Sequence, residues 1–122
     1  MKFIATTLAA AAAVCAFSAS AADIRWSASD TFEHTATIAP GKAEEVCGMI
    51  ESRYPVTWAY SASGPLTFNI HRHSGDDVIY HHRSYLTREQ KGKFSPTFNF
   101  DWCWMWVNES NEPVTVQVEL KR

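Results

Sequence analysis

Cysteine is scarce in this chain of 122 residues: there are three, and Cys15 falls in an Ala-rich N-terminal stretch, which leaves only Cys47 and Cys103 for the folded part. Lys and Arg are nowhere clustered, so the electrostatic footprint of a nucleic-acid binder is missing. No apolar run reaches the roughly 20 residues that a membrane-crossing helix requires. Repeats and low-complexity segments are absent after the N-terminal stretch. No Gly-x-Ser-x-Gly elbow and no free thiol paired with His occurs, which argues against nucleophilic catalysis and for a non-enzymatic protein. Helical periodicity is missing too, except over the short stretch Thr87 to Lys91.

The first segment is a leader by pattern. Met1-Lys2-Phe3 is basic, Ile4 to Phe17 is apolar, and Ser18 to Ala22 supplies the small residues that a signal peptidase cuts after. Cleavage is expected after Ala21 or Ala22, which makes residues 1–22 a signal peptide and 23–122 a single domain. Cys15 lacks the leucine-like residue upstream that lipid attachment uses. Removing Lys2 from the 11 basic residues leaves 10 against 13 acidic ones, a net charge of −3 with His neutral. The expected location is the periplasm or the cell exterior. That compartment is oxidising, and small exported domains rely on disulfides because their cores are limited. Cys47 and Cys103 are expected to be bonded, which on the chain-entropy estimate stabilises the fold by about 4 kcal/mol; the rival reading is a thiol metal pair.

What is there in quantity is alternation with period two. Phe32, Ala36 and Ile38 alternate with Thr and Glu before the Pro40-Gly41-Lys42 turn, and Val46 to Glu51 follows. Val56, Trp58 and Tyr60 alternate with polar or small residues up to Ser63-Gly64-Pro65, read as a turn. Leu66, Phe68 and Ile70 repeat the pattern, and Ser74-Gly75-Asp76-Asp77 joins them to Val78 to Arg83 as a hairpin. Phe94 to Phe100, Trp102 to Val107 and Val114 to Leu120 complete the set. Seven or eight short strands predict an all-β protein, an antiparallel β-sandwich of jelly-roll type with one disulfide.

This order of motifs resembles the GOLD domain, the lumenal β-sandwich of the p24 (emp24/gp25L) family. The likeness is carried by Gly92-Lys93-Phe94-Ser95, by the Cys103-Trp104-Met105-Trp106-Val107-Asn108 strand, and by the terminal Val114-x-Val116-x-Val118. It covers roughly Phe32 to Leu120 and implies that Cys47 and Cys103 match the bridged pair of that family. A coiled coil, membrane helix and cytosolic tail are missing, so what carries over is a binding or interaction module rather than cargo transport. Its partner would be a protein or a small ligand.

Two constellations could carry function. His71 and His73 share one strand face. A four-residue hairpin loop would pair His73 with Val78, His71 with Tyr80 and Asn69 with His82. His71, His73 and His82 would then converge on one face and suit a copper or zinc ion; the alternative is a solvated polar face that includes Arg72 and Arg83. A register slip would exchange His82 for His81. Trp102, Trp104 and Trp106 share one face of the next strand, while Cys103, Met105 and Val107 share the other. Exposed, they would form, with Tyr80, a stacking or docking surface; enclosed, they are core. Glu44-Glu45 and Asp76-Asp77 read as solvated charge. Asn108-Glu109-Ser110 has the pattern of a glycosylation acceptor.

Overall fold

The structure is a computed structural model that describes residues 19–122. Most of the expected leader, Cys15 included, lies outside the described residues. Seven strands follow in order: β1 (Ala19–Asp23), β2 (Thr31–Ile38), β3 (Ala43–Ile50), β4 (Val56–Ser74), β5 (Asp77–Phe94), β6 (Phe100–Val107) and β7 (Val114–Lys121). No helix occurs among the described residues, so none is long and apolar enough to cross a membrane. The all-β expectation and the Cys47–Cys103 bond are both present.

The strands join in the order β1-β3-β6-β4-β7-β2, with β5 added to β4. The sheet curls over itself because β4 is used twice. Its first part, Thr57 to Ala62, pairs with β7, and its second part, Thr67 to His71, pairs with β6. β5 follows β4 along both parts. All pairings are antiparallel except β1 with β3, where Ala19 to Asp23 runs parallel beside Ala43 to Cys47. The expected cleavage point falls within β1.

Two sequence expectations give way here. Ser63-Gly64-Pro65 does not reverse the chain. It lies inside β4 at a register shift between Ser61 and Leu66, where Pro65 has no N–H to give the ladder and Gly64 is packed close under Val114. Thr87 to Lys91 is not helical but part of β5. Arg88, Glu89 and Lys91 are exposed there, and Thr87 and Gln90 are half-buried. Gly92 is required on the core side because a Cβ there would lie 2.7 Å from Trp58 Cζ2.

The core lies between the two layers. From one side come Val56, Trp58, Tyr60, Phe94, Val116, Val118 and Leu120, and from the other Val46, Ile50, Phe68, Ile70, Trp104 and Trp106, all buried. Aromatic contacts tie the layers together: Trp58 meets Phe68 at 5.1 Å between ring centroids, Tyr60 meets Trp106 at 5.7 Å, and Phe94 meets Trp104 at 5.9 Å. Arg72 sits over the rings of Phe98, Phe100 and Trp102 at 5.0 to 5.7 Å, so it is a packed cation rather than part of a solvated face. Asn108, at the end of β6, is fully buried. Its Nδ2 donates to the carbonyls of Ile38 and Glu112 at 2.9 and 2.7 Å, and its Oδ1 accepts from Ser110. A side-chain nitrogen so engaged has a structural role and is not displayed to a glycosyltransferase.

Candidate functional site

Strand β6 decides where chemistry can occur. Trp102, Trp104 and Trp106 point inward and are at most 7% exposed, so the tryptophan stripe is core and offers no stacking platform. Their indole N–H groups, with that of Trp58, have no hydrogen-bond partner in the protein. On the opposite face Cys103 stands between two strands, paired with Cys47 of β3 on one side and with His71 of β4 on the other. The two cysteine Cα atoms are 4.1 Å apart, the separation of directly opposed residues.

His71 lies almost fully buried on this outer face. Its Nδ1 donates to Asn69 Oδ1 at 2.6 Å, which leaves the Nε2 lone pair facing Glu45 Oε2 at 4.0 Å. Burial, and after it the charge of His73, lowers the His71 pKa below the ordinary 6.5. His73 is exposed, and its ring meets that of His71 edge-on at 5.1 Å. The ligand atoms of Glu45, His71 and Cys103 all lie within 4.8 Å of one another.

The three-histidine set predicted from sequence does not assemble. His73 pairs with Val78 and His71 with Tyr80 as expected, but the register shifts between Ile70 and His71, so Asn69 pairs with Arg83 and Ile70 with His82. His81 is the extra residue of this bulge. The His82 ring therefore faces the core against Trp58 and Phe68, with Nε2 bonded to Gln90 Oε1 at 2.9 Å. His81 packs on Phe94 at 4.6 Å. Only His71 and His73 remain together. The other carboxylate of the Glu44-Glu45 pair is not solvated either: Glu44 points inward, is buried, and bonds to His34 Nε2 at 3.1 Å, joining β3 to β2 across the open side of the sandwich. Glu45 escaped the sequence reading because its approach to His71 depends on β6 lying between β3 and β4, a long-range register no local pattern encodes.

A second surface runs along β5. Five of the eight large hydrophobic side chains exposed among the described residues lie on this strand, namely Val78, Ile79, Tyr80, Tyr85 and Leu86. Tyr85 is 70% exposed, and Leu86 holds φ at 52°, a left-handed conformation that a leucine adopts only under constraint. Arg83 lies 3.6 Å over the Tyr80 ring. β5 pairs only with β4, so its far edge presents free backbone groups. A third feature is a trough of about 470 Å³ on the outside of the other layer, floored by Ala59 and Ser61 and walled by Glu33, Gln117 and Glu119. Its lining is mixed, with Thr35, Tyr60 and Val118 beside the polar walls, and the Tyr60 ring itself is buried in the core.

No family model matches the chain, and no curated protein matches it in sequence. Solved structures do. The periplasmic lysozyme inhibitor PliG of Aeromonas hydrophila, an inhibitor of g-type lysozyme, is 9% identical over 84% of this chain and 96% of its own, with a TM-score of 0.60. The corresponding PliG of Salmonella Typhimurium is 8% identical over the same share of this chain and 96% of its own, at 0.57. The pre-peptidase C-terminal domain of a Bacillus anthracis collagenase is 10% identical over 84% of this chain and 94% of its own, at 0.54. At such identity the likeness is one of fold: the chain is similar to β-sandwich domains of this kind.

Proposed function

We propose that this chain is an exported, non-enzymatic module that binds a protein partner through the free edge and outward corner of β5. The observation that carries the reading is the concentration of exposed apolar side chains at Val78, Ile79, Tyr80, Tyr85 and Leu86 on a strand with one unpaired edge. Such an edge is a template for a partner strand, and exposed tyrosines beside it supply contact area at low entropic cost. Support for export comes from the leader-like first residues and from the disulfide. Two of the similar folds belong to periplasmic proteins that inhibit a lysozyme, which makes a protein partner a natural class here too. The GOLD-like order of motifs agrees with an interaction module of the same general architecture.

The test places a photo-crosslinking amino acid at Tyr85 and, as a control on the opposite layer, at Gln117. Each protein is irradiated with purified g-type lysozyme and, separately, with a cell-envelope extract. The reading expects a discrete adduct from position 85 and none from 117. Tyr85→Ala should weaken the complex about tenfold or more, corresponding to about 1.4 kcal/mol. Adducts at both positions alike, or at neither, would overturn the assignment of β5 as the contact surface.

A further inference from the structure

We propose that the outer face of the disulfide is a reduction-gated zinc site, formed by Glu45 and His71 together with the thiolates of Cys103 and Cys47. With the bond intact, the sulfurs are committed to each other and the face offers one carboxylate and one imidazole. A dithiol reductant transfers two electrons and two protons to the disulfide and is itself oxidised to a disulfide, which leaves two thiols directly opposite each other on β3 and β6. A divalent zinc ion then takes the place of the two thiol protons, which pass to solvent, and the site gains two sulfur ligands.

The arrangement is already that of a metal site in its details. Cys103 Sγ, His71 Nε2 and a Glu45 oxygen lie within 4.8 Å of one another, close to the spacing that ligands about one ion adopt. His71 donates its other ring nitrogen to Asn69 Oδ1 at 2.6 Å. That is the outer hydrogen bond by which metal-binding imidazoles are held in tautomer and orientation. The three elements that contribute are strands of one sheet, so their relative positions are fixed by backbone pairing and not by a loop. Two thiolates, an imidazole and a carboxylate form a donor set suited to tetrahedral zinc. His73, exposed beside His71, lies outside the set.

The experiment titrates the full exported domain with zinc in competition with a chromophoric chelator, once oxidised and once after treatment with a non-chelating reductant. Cobalt is used in parallel, because thiolate ligation produces a near-ultraviolet charge-transfer band that a fold change alone does not. The expected result is binding at least about 100-fold tighter in the reduced protein, with the cobalt band present. Cys103→Ser should abolish the band, and His71→Ala and Glu45→Gln should each weaken zinc by about tenfold or more. Near-ultraviolet circular dichroism follows the tryptophan core throughout. If reduction loosens the fold, zinc should restore it. Equal affinity in both redox states, reduced-state binding that survives Cys103→Ser or His71→Ala, or a reduced chain that neither binds nor keeps its core, would each overturn the proposal.

Discussion

The two faces of β6 are both apolar in sequence, yet they do different work. Trp102, Trp104 and Trp106 face the other layer and are almost fully enclosed, with four core indole N–H groups left without partners, Trp58 included. Cys103, Met105 and Val107 face outward, where Cys103 meets a second cysteine, a buried histidine and a carboxylate. The inner face acts through volume, and the outer through the identity of particular atoms. Hydrophobicity alone does not distinguish a residue that fills space from one whose heteroatom has a neighbour.

Truncation on the inner face should break that contrast most severely. Trp104→Ala is expected to cost about 3–5 kcal/mol, because it empties the centre of a packed core, and urea unfolding would measure it. Trp104→Phe should cost clearly less, since the indole N–H it deletes has no partner to lose; an equal loss from both would show that the N–H matters. On the outer face, Cys47→Ser opens a loop spanning 56 residues and should cost about 2–4 kcal/mol, read as the shift in denaturation midpoint against the wild-type protein. Asn108→Ala, just past the strand, removes the side-chain donor to the Ile38 carbonyl and one of two to the Glu112 carbonyl, which Ser110 Oγ also reaches, and should cost about 1–3 kcal/mol by the same measurement.

The smallest effect concerns pH. Partial burial against Phe94, and then the charge of His82, lower the His81 pKa below 6.5. A folded pKa below the unfolded one means that the unfolded chain takes up protons first. Stability is therefore complete above about pH 6.5 and declines as the pH falls through the folded value. The melting temperature should drop between pH 7 and pH 5, and His81→Gln should flatten part of that slope; the His71 shift has the same direction and contributes to it as well.

Much of the fold was legible because alternating residues mark a half-buried strand. β2 and β7 follow their alternation and β6 its dense run, β3 begins at Ala43 rather than Val46 and ends at Ile50, and the cysteine pair follows from compartment. The joins were not legible. The second half of β5 hides its strand character because two of its inward positions before Phe94 are Gln90 and Gly92, the latter kept bare by Trp58. β4 runs through a Gly-Pro pair that elsewhere would turn the chain. The histidine set failed on one bulge: a single extra residue on β5 sends His82 to the core. Glu45 was hidden for a different reason, since its partner lies two strands away.

The pairing of β2 with β7 sets Thr31 opposite Lys121. The second layer thus cannot close until β7 is available, whereas the β4–β5 hairpin, turned at Gly75, needs only neighbours in sequence. Non-local pairing of this kind delays folding. The β4–β5 hairpin can therefore form early, while the β2–β7 pair that completes the second layer closes late.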